Sequence, residues 1–315
     1  MLQNCLQEQA PIQLPQTTCA IRPQVSLAPL TTLRVGGIAQ WYSAPRDPLE
    51  MRICLDWAKR EGFPITLLGA GSNLLISDQG LPGLVLSSRY LRGSVFDEET
   101  GQVTASAGEP LPRLAWAAAR RGWEGLEWAA GIPGTVGGAV VMNAGAQGHC
   151  TADILVQAQV VDRHRTLNLT PQHLNYRYRT SCLQGDGRLV TQATFQLRPG
   201  ADPQTVMANT SRNLDYRKST QPYHLPSCGS VFRNPDPAKA AGWLIENTGL
   251  KGYQIGSAQV AHRHANFIIN QGGATATDVF QLLHHVQTQV WQKWSLRLEP
   301  EVRILGNFPT LLPTF

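Results

Sequence analysis

Two uncharged, glycine-rich stretches offer the first chemistry. Gly69-Ala70-Gly71-Ser72-Asn73 and the run from Gly131 to Ala139 each set several glycines beside apolar residues. Glycine lets backbone N–H groups approach an anion closely, and Ser72 and Asn73 add short side-chain donors. Gly137-Gly138 can also open a helix whose first N–H groups face a pyrophosphate. One such loop alone reads most simply as a tight turn. Two together, both without charged side chains, favour a bound dinucleotide. The Rossmann fingerprint is not met: its third glycine position is Leu74, and another apolar strand follows where a helix is needed. Neither Ser72 nor Ser230 sits in the G-x-S-x-G elbow of a serine hydrolase.

The second loop lies inside a longer stretch, Trp128 to Ala146, which is nineteen residues without a charge. That length can cross a bilayer. Its glycines and Pro133 oppose a membrane helix, at about 1 kcal/mol per glycine and about 3 for proline. No second apolar segment of similar length accompanies it, so no membrane span is expected.

With 315 residues and 42% hydrophobic content, two globular domains are expected. A net charge of +5 without any dense Lys/Arg run suits an anionic small ligand and argues against nucleic acid. The six cysteines form no CxxC pair and no Cys/His set with metal spacing, so no metal site is expected and a reduced compartment fits. The N-terminus lacks the basic and apolar regions of a signal peptide.

The elements that must carry these loops are readable in part. A helix is expected from Pro48, N-capped by Asp47 with Glu50 completing a capping box, and with Leu49, Ile53, Trp57 and Ala58 as its buried stripe. A second helix starts at Leu111 and buries Leu111, Leu114, Ala115 and Ala118. A third, from about Asp278 to Trp294, buries Val279, Leu282, Leu283, Val286 and Val290, with Trp294 on the same face. A polar helix from Pro203 and a short one ending at Gly249 are also expected. Alternation predicts strands in 154–162, 166–170, 174–181 and 188–198. A strand over 174–181 puts Arg177, Arg179 and Ser181 on one face. A closing strand over 296–306 puts Leu298, Val302 and Ile304 inward and Glu299, Glu301 and Arg303 outward.

Eight segments in order carry a resemblance: TTLRVGG (31–37), LLGAGSNLL (67–75), GIPGTVGGAVVMNAGA (131–146), YRYRTS (176–181), GSVFRNP (229–235), AGWLIENTGLKG (241–252), HANFIIN (264–270) and LEPEVRILG (298–306). Together they resemble the UDP-N-acetylenolpyruvoylglucosamine reductase family over roughly residues 25–306. The short segment between Thr180 and Cys228 resembles the type without the extra tyrosine loop. The resemblance implies an α+β architecture. A two-lobed FAD-binding domain of the vanillyl-alcohol-oxidase (PCMH) type spans 25–198, with lobes of about 25–90 and 91–198. A smaller α+β substrate-binding domain spans 199–307. A polar lead-in over 1–24 and a tail over 308–315 complete the chain.

The implied activity is reduction of an enolpyruvyl ether of UDP-N-acetylglucosamine to UDP-N-acetylmuramate, in peptidoglycan synthesis and hence cell shape and division. NADPH is the co-substrate and FAD the bound cofactor; hydride goes to the vinyl C3 and a proton to C2. Another flavin oxidoreductase on the same scaffold, acting on a sugar or alcohol, is the alternative. A cytoplasmic monomer with a nucleotide-sugar substrate is expected.

The resemblance also assigns roles. Ser230 matches the proton donor; taken alone it is a turn serine beside Gly229. Arg179 matches the catalytic arginine, a guanidinium able to hold the substrate carboxylate bidentately. Glu301 matches the catalytic glutamate, as acid or as electrostatic partner; taken alone it is an exposed carboxylate paired to Arg303. The flavin is expected on Gly69, Ala70, Gly71, Ser72, Asn73, Gly131, Gly134, Thr135, Gly137, Gly138, Asn143, Ala144 and Gly145. Tyr178, Arg217, Asn234 and His264 are candidates for substrate contacts, Arg217 toward a phosphate. Ala261 and Arg263 depart from the family's more usual Ser and Lys. Cys228, beside Gly229, reads as a packed small residue rather than a nucleophile.

Overall fold

The computed structural model describes residues 10–15, 17–162, 165–235 and 239–310. Residues 1–9 and 16 of the expected lead-in, and 311–315 of the expected tail, lie outside the described residues.

The first lobe runs through β1 (Ile12–Gln13), β2 (Ala20–Ser26), β3 (Ile38–Ser43), α1 (Pro48–Arg60), β4 (Ile65–Leu68), β5 (Leu74–Ile76) and β6 (Leu81–Ser87). Its sheet has the order β1-β2-β3-β6-β4, with β3 and β4 both parallel to β6. Ile21 of β2 is fully buried in this lobe's core, so the chain joins the sheet before residue 25. Helix α1 forms where expected, and Asp47 caps it by accepting from the Glu50 N–H at 2.8 Å. Its buried face is rotated from the expected stripe: Leu49 is 59% exposed, while Glu50, Met51, Cys54, Trp57 and Ala58 are buried. The cause is Glu50. Its carboxylate accepts from the Thr18 N–H and hydroxyl and from the Arg46 N–H, so it enters the core with its acceptors satisfied and closes no reciprocal box.

The second lobe comprises β7 (Ser94–Asp97), β8 (Gln102–Ser106), α2 (Leu111–Ala119), α3 (Val136–Met142), β9 (Gly145–Ala146), β10 (His149–Cys150), α4 (Thr151–Ile154), β11 (Leu155–Val161), β12 (Thr166–Leu169), α5 (Pro171–Leu174) and β13 (Leu189–Gln196). In the antiparallel sheet β12-β11-β13-β8-β7, strands β13 and β8 carry α3, and α2 buries the four residues expected in the same core. The uncharged stretch resolves into four parts: Trp128–Ala130 in this core, a loop over 131–135, α3, and residues 143–146 ending in β9. Among the described residues, no helix is long and apolar enough to cross a membrane.

The remainder holds α6 (Pro203–Thr220), α7 (Ala241–Asn247), β14 (Gln254–Ile255), β15 (Ala258–Val260), β16 (Ile268–Asn270), α8 (Ala276–Trp294) and β17 (Arg303–Leu305). Helix α6 packs on α2 and on the turn at Glu127–Ala129, with Leu214 against the second lobe's core. The third core is built on α7 and α8 and takes in Leu33, Val35 and Leu75 from the first lobe. α8 begins earlier than expected, at Ala276, because Thr275 and Asp278 form a reciprocal capping box. The expected closing strand is shorter, Arg303–Leu305, and pairs parallel with β5.

Candidate active site

A cleft of about 890 Å³ runs between the two lobes and ends against the third core. Its floor is formed by the two glycine loops. They are tied together by the Ser72 hydroxyl, which donates to the Pro133 carbonyl at 2.8 Å. The loop after β4 has unpaired donors: none of the hydrogen bonds found among the described residues outside helices and strands is donated by the N–H groups of Ala70, Gly71, Ser72 or Asn73. The opening of α3 differs from expectation. Its first N–H groups are already bonded, Val136 to the Glu109 carbonyl, Gly137 to the Ala107 carbonyl and Gly138 to the Thr135 hydroxyl. The anion donors therefore sit on the first loop rather than at the helix end.

The glycines divide in the same way. A Cβ on Gly71 would lie 2.3 Å from the Leu30 carbonyl oxygen, and one on Gly137 would lie 2.9 Å from Ala107 Cβ. Those two are glycines because protein lies against them. A Cβ on Gly138 would meet only Thr135 Oγ1, at 3.5 Å, and one on Gly134 only Ser72 Oγ, at 3.4 Å. There the bare backbone borders the cleft itself. An uncharged floor with free N–H donors and open space above two glycines fits a pyrophosphate-bridged cofactor such as FAD.

The catalytic candidates converge at the far end. Residues 176–181 form no strand. Arg177 and Thr180 exchange both main-chain hydrogen bonds at 3.1 Å, closing a tight turn with Tyr178 and Arg179 at its tip. Arg179 has φ +55°, a left-handed conformation uncommon for arginine. The expected common face of Arg177, Arg179 and Ser181 is therefore absent: Ser181 turns inward and donates to the Val141 carbonyl. The turn aims Arg179 into the cleft, where Nη2 donates to the Gly145 carbonyl at 2.7 Å and Nε lies 3.1 Å from Glu301 Oε1. Glu301 thus pairs with Arg179 and not with Arg303, and its side chain is only 15% exposed. Burial pushes its carboxyl above the usual carboxylate range, while the Arg179 and Arg233 guanidiniums oppose that shift.

Ser230 reaches the same end because its segment pairs antiparallel with the one carrying Glu301. Phe232 bridges Pro300, and the Glu301 N–H donates to the Val231 carbonyl at 2.7 Å. Asn73 connects both ends of the cleft: Nδ2 donates to the Glu301 carbonyl, and its own carbonyl accepts from the Arg303 N–H.

Of the expected contact residues, Gly69 to Asn73, Gly134, Thr135, Gly137, Gly138, Ala144, Gly145, Arg217, Asn234 and His264 line the cleft. Gly131, Asn143 and Tyr178 do not. The Arg217 side chain lies on Gly131, Nε donating to its carbonyl at 3.0 Å. Asn143 is buried and bridges the Arg177 carbonyl and the Ala152 N–H. Tyr178 is 53% exposed, with the Arg179 guanidinium 5.1 Å from its ring centre. Asn234 Oδ1 accepts from the Ala241 N–H at the start of α7. His264 is held below its ordinary pKa by burial, which favours the neutral ring. Cys228 is fully buried and its thiol is pushed up to about 12 by burial, as suits a packed residue. Ala261 is buried in the third region, and Arg263 donates to the Lys218 carbonyl near the end of α6, so neither lines the cleft. Sequence reasoning missed Arg188 and Arg303 in the lining. The alternation of 298–304 did put Arg303 on the Glu301 face; nothing comparable marked Arg188.

The comparisons with known proteins bear on the whole of this arrangement. The family described as FAD binding domain matches residues 39–167. The one described as UDP-N-acetylenolpyruvoylglucosamine reductase, C-terminal domain, matches residues 221–305. The UDP-N-acetylenolpyruvoylglucosamine reductase of Acaryochloris marina is 59% identical over 294 residues, 93% of this chain and 95% of the relative. The chain belongs to the UDP-N-acetylenolpyruvoylglucosamine reductase family. The reductase of Nostoc punctiforme is 60% identical over 298 residues, 94% of this chain and 90% of its own. The crystal structure of the Thermus caldophilus reductase superposes with a TM-score of 0.78 at 34% identity, covering 91% of this chain and all of that one. A reductase of this family is an FAD-containing oxidoreductase, and the fold is its two-lobed FAD-binding domain with an α+β domain following.

Proposed function

We propose that the cleft holds FAD along its glycine floor and that this chain reduces UDP-N-acetyl-3-O-(1-carboxyvinyl)glucosamine to UDP-N-acetylmuramate with NADPH. The observation that carries the site assignment is the meeting of Arg179, Ser230 and Glu301 at one end of a cleft whose floor is the uncharged backbone of two glycine loops. Bound FAD supplies the relay of hydride from NADPH to the vinyl group.

The protein's own groups do the rest. N–H groups of Ala70 to Asn73 hold the cofactor's phosphates without a lysine. Arg179 takes the enolpyruvyl carboxylate and stabilises the charge that develops on it during hydride addition. Ser230 delivers the proton to C2; a serine is a weak acid, so its position must compensate for its pKa. Glu301 holds Arg179 in place until substrate arrives and faces the same carboxylate afterwards. Arg217, Asn234 and His264 border the nucleotide-sugar side. In this reading residues 25–198 serve the flavin and 199–307 the substrate, although α6 leans on the flavin lobe. The enzyme is assigned to the cytoplasm as a monomer, which size-exclusion chromatography with light scattering tests.

The direct test of the activity is product analysis. Incubation with NADPH and the enolpyruvyl substrate should yield a species heavier by two hydrogens, identified as the lactyl ether by mass spectrometry. Turnover of a simple sugar or alcohol in its place, with the enolpyruvyl ether untouched, would support the alternative oxidoreductase.

A further inference from the structure

The GSVFRNP segment contains a cation that the reaction scheme above does not use. Arg233 Nε is buried and makes no hydrogen bond among the described residues. The guanidinium does not line the cleft. Its backbone is fixed: the Arg233 N–H donates to the Glu299 carbonyl at 2.9 Å, and the Glu301 N–H donates to the Val231 carbonyl at 2.7 Å. With Phe232 opposite Pro300 in this antiparallel pairing, Arg233 and Glu301 fall on the same face, one diagonal step apart. A long side chain reaches across that distance.

The consequence concerns what happens when Arg179 engages the substrate. Glu301 is mostly buried, and among the described residues its ion-pair partner is Arg179. As Arg179 turns to a substrate carboxylate, Glu301 loses that partner and gains an anion beside it. An unpartnered buried carboxylate takes up a proton or moves. Arg233 is not among the lining residues, and its main chain is fixed on the Glu299 carbonyl, so it keeps its place as Arg179 moves. We propose that Arg233 is a positioning residue that keeps the charge of Glu301 compensated while Arg179 is occupied by substrate. The inference rests on the catalytic reading of Arg179 and Glu301.

Among the described residues, the other groups near Glu301 are few. Cys228 lies beside it on the Arg233 segment with its thiol protonated, Arg303 follows on its own strand, and Glu299 is the exposed residue directly opposite Arg233. Of these only Arg303 is a cation, and it lines the cleft.

The test uses the flavin-loaded enzyme and separates its two halves. In Arg233→Gln, reduction by NADPH should stay within about twofold of the native rate. Reoxidation by the enolpyruvyl substrate should keep a pH profile of the same shape, with the limb due to Glu301 moved to higher pH by about one unit. Arg233→Lys should restore the native profile. A carbon NMR titration of labelled glutamate, with Glu301→Gln for assignment, reads the same shift without turnover and serves if Arg233→Gln loses flavin. An unshifted profile and titration overturn the proposal. So does a rise in KM alone, which would make Arg233 a substrate contact. If native enzyme does not reoxidise with the enolpyruvyl substrate at all, the activity assignment fails instead, and the NMR titration still decides whether Arg233 governs Glu301.

Discussion

Arg179 Nε and Glu301 Oε1 lie 3.1 Å apart, one at the tip of a tight turn in the second lobe and the other just before the last strand. The contact joins the lobe that carries α3 to the segment paired with the one that carries Ser230. It is a mostly buried pair, so each partner depends on the other. Removing one leaves an uncompensated charge, which costs roughly 3–5 kcal/mol in comparable sites.

Arg179→Ala should retain flavin and its bleaching by NADPH, while kcat/KM for the enolpyruvyl substrate falls by about 10²-fold or more. Single-turnover reoxidation measures this directly. A native reoxidation rate would remove Arg179 from the role proposed.

Ser230→Ala should separate the half-reactions in the same way, slowing reoxidation by about 10²- to 10⁴-fold. Among the described residues its hydroxyl has no hydrogen bond to protein, so the substitution breaks no contact and thermal stability should be unchanged. A large fall in Tm would show that the serine is structural.

The pH dependence of stability follows from Glu301. Burial raises its folded pKa above the unfolded value. The protonated form is therefore favoured in the fold, and the stabilisation is complete below the unfolded pKa and lost as pH rises through the folded one. Glu301→Gln cannot ionise and should gain stability relative to native protein as pH rises through that window. Melting curves of both proteins from pH 4 to 8 read the difference; a constant gap contradicts the raised pKa.

The two central glycines of α3 should behave differently. Gly138→Val adds atoms toward the cleft, so the protein should fold with near-native Tm as apoprotein but fail to hold FAD. Gly137→Val drives into Ala107 and should lower stability by about 1–3 kcal/mol as well. The ratio of flavin to protein absorbance and the apoprotein melting temperature distinguish them. Full flavin occupancy in Gly138→Val would show that the floor of the cleft is not the cofactor's bed.

Much of this was legible from residue order. The helices α2 and α8 announced their buried faces by periodicity, and the glycine loops announced a bare backbone surface. What periodicity cannot give is the partner opposite. Glu50 reads in sequence as the second half of a capping box, but the Thr18 N–H and hydroxyl draw it into the core and rotate the whole α1 face. Residues 176–181 alternate like a strand, yet Arg177 bonds Thr180 and is held by Asn143, more than thirty positions away. The same bond explains why Asn143 supports the Arg179 turn and lies outside the cleft lining. Glu301 has Arg303 two residues away and pairs instead with Arg179, a choice made by tertiary approach. The opening of α3 invites an anion, but the Glu109 and Ala107 carbonyls and the Thr135 hydroxyl already hold its first N–H groups.

In the proposed function this protein holds FAD and passes reducing equivalents from NADPH to an enolpyruvyl nucleotide sugar. An anaerobic absorbance cycle on the purified protein tests it most directly. The predicted result is a flavin spectrum that NADPH bleaches and UDP-N-acetyl-3-O-(1-carboxyvinyl)glucosamine restores in full, in equal stoichiometry. A protein that stays colourless with added FAD, or a bleached flavin that the substrate leaves bleached, would contradict it.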